Sequence, residues 1–257
     1  MPISVVIVAK NEEKKIGMVL DGVKSIADEI IVVDSGSTDQ TVSVAESHGA
    51  RCLFQEWLGY SAQKNFAIEL AASDWVLSLD ADEVLTPELQ NEILELKNSG
   101  AINQFDGYKL PRVLLIGNKQ VRFGGFYPDA QLRLIKKGSG QFNNRMVHEA
   151  IKMSGPVRTL HNHMLHYGYN SVEEFSQAME KYARLSAEEY KKQAASGVGE
   201  HKDKYSNALV CFARPIWTFA YRYLLRGGIM DGVLGLQLAL EYSIYVNKKI
   251  QYTRSNK

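Results

Sequence analysis

The strongest constraint on the fold is a repeated alternation of strand-like and helix-like stretches in the first 80 residues. Residues 3–8 form a β-branched run without polar alternation, which is typical of a strand covered on both faces of a parallel sheet. Residues 29–34, 51–54 and 75–79 repeat this pattern, with short connections to the stretches between them. The pattern predicts an α/β fold with a Rossmann-like, doubly wound and mostly parallel sheet flanked by helices.

The stretches between these strands carry helix signals. Asn11 is predicted to cap a first helix, and Ser37 and Gln40 have the spacing of a capping box before a second helix at residues 41–47. A third helix is predicted from about residue 61 to residue 72.

Polar clusters follow three of the predicted strands. They are Ala9-Lys10-Asn11, Asp34-Ser35-Gly36 and Asp80-Ala81-Asp82, and Glu83 follows the last. Ligands of doubly wound sheets bind beyond the carboxyl ends of the strands, so the three clusters are expected to converge. Carboxylates crowded at residues 80–83 destabilise a fold unless a cation or a hydrogen-bond network compensates them, which predicts positive charge at this edge.

The later half of the chain has a different pattern. Residues 108–115 and 131–135 are predicted strands, with a glycine-rich turn at Gly124-Gly125 between them. Ser171 and Glu174 open a predicted helix with a capping-box spacing, and residues 197–204 are predicted to form a polar loop.

Composition excludes several classes of protein. The chain has 257 residues, is 45% hydrophobic and 23% charged, and carries a net charge of +1, which is ordinary for a globular protein and gives no attraction to nucleic acid. Cys52 and Cys211 form no CxxC pattern, so neither a disulfide framework nor a structural zinc site is expected. The N-terminus lacks a basic leader, and we expect a cytoplasmic protein.

The last fifty residues are apolar and aromatic but interrupted by charges. Arg214, Arg222, Arg226, Asp231 and Glu241 leave no uncharged apolar run of about 18 residues, so no membrane-spanning helix is expected. Basic residues interleaved with aromatic ones are typical of a segment that lies at an anionic membrane surface. A helical pair that packs on the core is the alternative interpretation.

Four motifs together resemble the family 2 glycosyltransferases of the GT-A fold. They are "VVIVAKNEE", "IIVVDSGSTDQT", "QKNFA" and "LSLDADEVL", and the resemblance extends from residue 3 to about residue 167. The later "YPDAQLRLI", "VHEAI" and "RPIWTFAYRYLLRGGIMDGVLGLQLAL" resemble the lipopolysaccharide core glucosyltransferases.

The resemblance implies a domain organisation. Residues 1–200 would form the GT-A glycosyltransferase domain, with a nucleotide-sugar-binding half at 1–105 and an acceptor half at 106–170. Residues 201–257 would form a helical extension that associates with a membrane or packs on the core.

The resemblance also implies an activity. It is the metal-dependent, inverting transfer of one sugar from a UDP-sugar to a hydroxyl of a saccharide acceptor, in lipopolysaccharide core or other cell-surface glycan synthesis. Subfamily resemblance suggests UDP-glucose as the donor. A lipid-linked acceptor would place the enzyme in the cytoplasm, peripheral at the inner membrane.

The implied cofactor is Mn²⁺ or Mg²⁺, because a hard divalent cation neutralises the charge of a departing diphosphate. By resemblance Asp80 lies near ribose and metal, Asp82 binds the metal, and His166 completes the metal shell. His161 and His163 have the spacing of one face of a strand, and structural imidazoles are the alternative for them.

The implied nucleotide-sugar site extends beyond the metal. The backbone near Ala9 would line the uracil pocket, Asp34 would hydrogen-bond the base or ribose, and Glu12 would contact the ribose. Lys64 would reach a phosphate or order the metal loop. A solvated helix lysine and a plain helix cap are the alternatives for Lys64 and Asp34. The complete predicted set is Ala9, Asn11, Glu12, Asp34, Lys64, Asp80, Ala81 and Asp82.

Transfer with inversion requires a group that takes the proton from the acceptor hydroxyl. The resemblance places this group in the later half, where Glu149 is the first candidate, His148 its rival and Asp129 the third. Arg133 and Arg145 are expected either to bind diphosphate or to pair with acids.

Other classes compete with this interpretation. A sugar nucleotidyltransferase usually has a glycine-rich loop after the first strand, and an oxidoreductase needs GxGxxG there, whereas this chain has Ala9-Lys10-Asn11-Glu12-Glu13. A processive synthase would carry spanning helices and a Gln-X-X-Arg-Trp motif. The sequence has no such motif and spanning helices are not expected, which favours transfer of one sugar per acceptor. A non-catalytic nucleotide-binding or membrane-surface protein remains the alternative from a different class.

Overall fold

The computed structural model describes residues 1–143, 150–195 and 207–255. The chain forms two compact units. Unit 1 comprises Met1–Val113 and Asp129–Tyr167, and unit 2 comprises Leu114–Pro128 and Gly168–Lys257. The predicted domain boundary at residue 200 and the predicted loop at 197–204 lie outside the described residues.

The secondary structure alternates between strands and helices in the first half. The strands are β1 Ile3–Ala9, β2 Glu29–Asp34, β3 Arg51–Phe54, β4 Trp75–Asp80, β5 Glu83–Leu85, β6 Gly107–Leu110, β7 Arg112–Ile116, β8 Lys119–Val121, β9 Gln131–Lys136, β10 Gly140–Phe142, β11 Ile151–Met153, β12 Val157–Thr159 and β13 Met164–Tyr169. The α-helices are α1 Ile16–Asp21, α2 Thr41–Ser47, α3 Tyr60–Leu70, α4 Pro87–Ser99, α5 Val172–Ala195, α6 Ala208–Ala220 and α7 Gly232–Arg254.

The main sheet lies in unit 1, with the strand order β12-β6-β9-β4-β1-β2-β3. β1 pairs in parallel with both β2 and β4, and β2 pairs in parallel with β3. β9 runs antiparallel to β4 and β6. The predicted mostly parallel sheet is confirmed, and it brings the carboxyl ends of β1, β2 and β4 side by side.

Apolar side chains bury both faces of the central strand. Ile3, Val5 and Ile7 belong to a core that includes residues of α1, α2 and α4, whereas Val6 belongs to a second core with α3. Successive side chains of a strand point to opposite faces, which explains why β1 lacks polar alternation. Full burial of such a side chain contributes about 1.5–3 kcal/mol, so the two cores fix the position of the strand ends.

Two predicted helix caps are wrong. Asn11 has φ +56° and lies in the left-handed region, and α1 begins only at Ile16. The Asn11 side chain accepts a hydrogen bond from the Thr38 backbone instead. Before α2, Asp39 accepts from the Thr41 backbone, so no capping box forms between Ser37 and Gln40.

The predicted strand at residues 108–115 is interrupted by Pro111, which separates β6 from β7. Proline cannot donate to the ladder, so it favours a break at this point. The predicted strand at 131–135 corresponds to β9. The predicted cap of α5 is confirmed in part, since Ser171 Oγ accepts from the Glu174 backbone at 3.3 Å.

Unit 2 contains the long helices α5 and α7, with α6 packed against α7. A π-helical turn at Tyr221–Leu225 and a 3₁₀ turn at Gly228–Asp231 connect α6 to α7. Residues Gly228–Arg254 are long and apolar enough to cross a membrane by length and composition, with 22% of the apolar window buried. The expectation that the tail holds no such segment is therefore not supported. Length and composition alone do not separate a spanning helix from one that lies at a surface.

Candidate active site

The loops after β1 and β2 are joined by hydrogen bonds from backbone amides. The Ser35 amide donates to the Ala9 carbonyl at 3.0 Å, and the Asn11 amide donates to Ser37 Oγ at 2.9 Å. The Glu12 amide donates to Thr41 Oγ1 at 2.7 Å. These bonds hold the predicted residues Ala9, Asn11 and Glu12 beside the end of β2.

Asp34 ends β2 and is almost completely buried. Its carboxylate accepts from the Gly36 amide at 2.9 Å and from both the amide and the hydroxyl of Ser37. Asp34 therefore shapes its own loop. Asp34 makes more hydrogen bonds than a plain helix cap, which was the alternative interpretation of the sequence, would require.

Asp80 ends β4 between two cations. Lys64 Nζ lies 2.6 Å from Oδ1, and Arg133 Nη2 lies 2.7 Å from Oδ2. Burial alone would raise the pKa of Asp80, but the charges of Arg133 and Lys64 outweigh burial and hold the pKa well below its usual range. The carboxylate is therefore ionised, and Lys64 is not a solvated helix lysine.

Glu83 is fully buried, and its charge is compensated within the fold. Its Oε1 accepts from Arg133 at 2.7 Å and from Arg112 at 2.9 Å. Arg112 also binds Asp129 through two nitrogens, at 2.6 and 3.0 Å. Burial would lower the pKa of Arg133, but the carboxylates of Asp80 and Glu83 outweigh burial and raise it. The positive charge predicted beside the carboxylates thus comes from the protein itself.

Asp82 and His166 form a separate pair at this edge. β5 and β13 are antiparallel with Glu83 opposite His166, and the Tyr167 amide donates to the Asp82 carbonyl at 2.9 Å. This pairing brings His166 Nε2 to 3.5 Å from Asp82 Oδ2. Both side chains are about one-fifth exposed, so they are accessible from solvent.

The donor set of this pair fits a divalent metal. Two ligand atoms that each lie about 2.1 Å from one ion are roughly 3–3.5 Å apart, which matches the Asp82–His166 separation. A ligand set of one carboxylate oxygen and one imidazole nitrogen suits Mn²⁺ better than Mg²⁺, because Mg²⁺ prefers a shell made only of oxygen atoms. Among the described residues no group of three His, Cys, Asp or Glu side chains is close enough to hold an ion. Asp80 stays a predicted ligand, although both of its oxygens are already paired.

His161 and His163 do not share a strand face with each other. β13 begins at Met164, so both histidines precede it. The His161 amide donates to Glu92 of α4, and the His163 carbonyl accepts from Thr86 Oγ1. The prediction that their side chains point together from one strand is wrong, because the turn before β13 is held by α4 and its cap.

Comparison with known proteins decides the family. Residues 4–151 match the model described as glycosyl transferase family 2, which covers more than half of the chain. The chain belongs to glycosyl transferase family 2. Its mostly parallel sheet, flanked by helices, is the GT-A arrangement that the sequence resemblance implies.

Two relatives span most of this glycosyltransferase. An uncharacterized glycosyltransferase of Rickettsia conorii is 33% identical over 244 residues, which cover 91% of this chain and 83% of the relative. The lipopolysaccharide core biosynthesis glycosyltransferase LpsC of Rhizobium meliloti is 30% identical over 258 residues, which cover 95% of this chain and 89% of LpsC.

Among solved structures, the glycosyltransferase is similar to glucosyl-3-phosphoglycerate synthase from Mycobacterium tuberculosis in complex with Mn²⁺ and UDP-glucose. The identity is 27%, the match covers 43% of each chain, and the TM-score is 0.37.

The predicted base candidates differ in what the structure says of them. Glu149 and His148 lie outside the described residues, as does Arg145. Asp129 is described, and both of its oxygens already accept hydrogen bonds, one from Gln131 and the other from Arg112. Asp129 is therefore occupied in this glycosyltransferase as a partner of Arg112.

Sequence reasoning missed two residues that build the site. Gln63, in the "QKNFA" motif, is fully buried, and its amide nitrogen donates to Ser35 Oγ and to the Gln55 carbonyl, both at 3.1 Å. It connects α3 to the loop after β2. Arg112 compensates Glu83, yet its only sequence signal is a basic residue that begins a strand after Pro111.

Proposed function

We propose that this glycosyltransferase moves one sugar, with inversion, from a UDP-sugar to a hydroxyl of a saccharide acceptor. The Asp82–His166 pair at the carboxyl edge of the sheet, beside the ionised Asp80, is the observation that carries the proposal. An acceptor in lipopolysaccharide core or another cell-surface glycan is supported by the similarity to LpsC over 95% of the chain.

The proposed metal ligands are Asp82 and His166, with Asp80 as a further ligand. When bound, Mn²⁺ or Mg²⁺ supplies a Lewis acid that neutralises charge on the departing diphosphate. Lys64 and Arg133 fix the Asp80 carboxylate from both sides, and they add positive charge beside the place proposed for the phosphates. The fixed charges cost no reorganisation when the glycosidic bond breaks.

The proposed nucleotide pocket lies along the interlocked loops after β1 and β2. The Ala9 backbone would line the base, while Asp34, Glu12 and Asn11 would meet the base and ribose. Hydrogen bonds between the two loops support this placement, because they preorganise the loops before a ligand arrives. Ala81 would lie beside the donor between the two aspartates.

The proposed base is Glu149, with His148 as the rival, and it would take the proton from the acceptor hydroxyl as the sugar leaves the diphosphate. Asp129 is the weaker choice, because removing it from Arg112 would leave a partly buried guanidinium short of one partner.

We place donor binding in residues 1–105, acceptor binding in 106–170 and a helical extension in 201–257. UDP-glucose is the proposed donor, and the proposed location is the cytoplasm.

Thermal unfolding in the presence of nucleotides tests the proposal. A ligand that binds only the native state raises the melting temperature according to its affinity and concentration. We expect UDP with Mn²⁺ to stabilise the wild-type protein, and GDP, CMP and NAD to have smaller effects. Asp82→Ala should remove the Mn²⁺-dependent part of the response.

The matched control is Asp74→Ala, which removes an exposed carboxylate just before the opposite end of β4. It should respond as the wild type does. Stabilisation by UDP without any need for Mn²⁺ or Asp82 would indicate a nucleotide-binding protein that lacks the proposed metal chemistry. If none of the nucleotides stabilised the protein, the proposed donor site would be rejected.

A further inference from the structure

Unit 2 carries most of the large apolar side chains that are exposed in the described part of the chain. Thirteen of the twenty large apolar side chains exposed in the described part of the chain lie between residues 209 and 244. Soluble monomers rarely expose contiguous apolar patches beyond a few hundred Å², and larger ones mark interaction sites. The thirteen side chains are Leu209, Val210, Phe212, Ile216, Trp217, Tyr221, Leu224, Leu225, Ile229, Met230, Val233, Leu240 and Ile244.

The exposed side chains follow the hairpin made by α6, the two connecting turns and α7. Leu209, Phe212 and Ile216 have helical spacing and share one face of α6. Val233, Leu240 and Ile244 share one face of α7 in the same way. The connection at residues 224–230 exposes Leu224, Leu225, Ile229 and Met230, and we call it the hairpin tip. Exposed apolar side chains are therefore present in α6, in the hairpin tip and in α7.

The hairpin is a packed structure rather than a loose end. Ser243 Oγ donates to the Pro215 carbonyl at 2.8 Å, which joins α7 to α6. A Cβ at Gly235 would lie only 1.8 Å from the Gly228 carbonyl oxygen, so the start of α7 closely contacts the 3₁₀ turn. These contacts join α6, the 3₁₀ turn and the start of α7 to one another.

Arg222 anchors the π-helical turn inside unit 2. Its guanidinium lies 3.4 Å from the centre of the Tyr242 ring and 4.7 Å from that of Phe126, and it donates to the Gly124 carbonyl. A cation held over aromatic faces in this way is stabilised and removed from solvent. The turn that carries Leu224 and Leu225 therefore has a fixed support.

The charge of this region favours an anionic partner. Residues 207–255 contain six Lys or Arg residues and two acids, and two of the basic residues, Arg222 and Lys248, already have partners within unit 2. One of the acids, Asp231, already accepts from the Phe123 amide at 2.9 Å. Arg226 is exposed within the hairpin tip. Each basic residue near an anionic bilayer is attracted to the headgroups, whereas two copies of the same basic surface would repel each other.

We propose that the α6–α7 hairpin binds the surface of an anionic bilayer, with the hairpin tip inserted among the lipids and Arg226 at the headgroups. Trp217 and Tyr221, whose stacked rings lie 6.4 Å apart, are suited to the interface, where amphipathic rings are stable. This binding uses residues of unit 2 alone and does not depend on the donor or the metal.

A surface location fits the packing better than a spanning one. α7 packs against α5 as well as α6, and Lys248 of α7 pairs with Glu180 of α5. A spanning α7 would have to leave both helices and break this ion pair. The hairpin can instead lie in the plane of the interface without losing any of these contacts.

Vesicle flotation of the full chain tests this inference. We expect binding to vesicles of phosphatidylcholine with about 30% phosphatidylglycerol, and weaker binding to phosphatidylcholine alone or in high salt. Leu224→Glu with Leu225→Glu should lower binding by about tenfold or more, and Arg226→Gln should lower it on anionic vesicles only. Met18→Glu, which changes an exposed apolar side chain of α1, should bind as the wild type does.

Four outcomes would overturn the inference. The first is the absence of wild-type protein from the floated fraction of every vesicle type. The second is binding by the double Leu variant that is as strong as that of the wild type. Protein that resists extraction at alkaline pH would indicate a spanning helix. A dimer in light scattering, which the double Leu variant converts to a monomer without any vesicle binding, would assign the surface to a second copy. A cooperative thermal unfolding transition like that of the wild type shows that the double Leu variant is folded, and its response to nucleotide reports on the donor site separately.

Discussion

Arg133 and Glu83 face each other inside unit 1, with Nη2 2.7 Å from Oε1, although the exposed fraction of Arg133 is 5% and that of Glu83 is 0%. The same guanidinium nitrogen reaches Asp80. One buried cation therefore links the end of β4 to β5. Buried charges are tolerated only when partners compensate them, so the carboxylates and arginines of this edge depend on one another.

Arg133→Met is expected to destabilise the protein by about 3–5 kcal/mol, the usual cost of removing one partner from a buried ion pair. The reason is that Glu83 would keep a buried charge with Arg112 as its remaining partner. Chemical denaturation measures the change in the free energy of unfolding. Adding Glu83→Gln to Arg133→Met should recover part of the loss.

A double-mutant cycle isolates the coupling between the two side chains. Additive losses in the cycle would show that Arg133 and Glu83 do not stabilise each other. The control is Lys136→Met, which changes an exposed side chain at the end of β9. This variant should leave the free energy of unfolding within about 0.5 kcal/mol of wild type.

The sequence predicted the sheet well and the loops poorly, for physical reasons. β1 to β4 are marked by apolar runs that two cores bury, so the local pattern carries the information. The left-handed backbone of Asn11 depends on its bond to Thr38, which is 27 residues away in sequence. Such a bond leaves no periodic pattern, and the helix was therefore predicted to begin too early.

In the candidate site, the need for compensating charge was predictable from the sequence, but the residues that supply this charge were not. Asp80 and Glu83 indicated that compensating charge was needed, because like charges are crowded there. The chain contains 30 Lys and Arg residues, and only the folded sheet selects Lys64, Arg112 and Arg133 from them. Charge balance is thus readable from sequence, whereas the identity of distant partners is not.

His166→Asn is expected to raise the Mn²⁺ concentration needed for half-maximal donor binding by about tenfold or more, which corresponds to a loss of at least roughly 1.4 kcal/mol. The reason is that His166 Nε2 lies at ligand spacing from Asp82 Oδ2. Titration of Mn²⁺ at a fixed UDP concentration measures the effect. His161→Asn is the control, since its backbone contacts Glu92 and its side chain is outside this pair. Equal Mn²⁺ titrations for both variants would remove His166 from the proposed metal shell.

Glu149→Gln is expected to leave UDP binding nearly unchanged while sugar transfer falls by about 100-fold or more, the usual scale for loss of a general base. The amide keeps the size of the side chain but cannot take a proton from the acceptor. Steady-state transfer rates and UDP-induced stabilisation, measured on the same preparation, separate the two effects. Full activity in Glu149→Gln, with a large loss in His148→Asn, would move the base to His148.

Glu180 is expected to make unit 2 sensitive to acid. Hydrogen bonds from Lys248 and Tyr252 lower the pKa of Glu180 to about 2, from an ordinary value of about 4.3. A carboxylate whose pKa is lower in the folded state contributes stability above the unfolded pKa, and the contribution is lost as pH falls through the folded pKa. The stabilisation should therefore be complete above about pH 5 and decline towards about pH 2.

The test of this pH dependence compares thermal unfolding of wild type, Glu180→Gln and Glu188→Gln between about pH 3 and pH 7. Glu188 is an exposed carboxylate on the same helix, α5, and serves as the matched control. Glu180→Gln should be less stable than wild type at neutral pH, because Lys248 loses its charged partner, and the difference should shrink as pH falls below about 5. A difference that stays constant across the pH range would mean that Glu180 stabilises α5 and α7 through packing rather than through its charge.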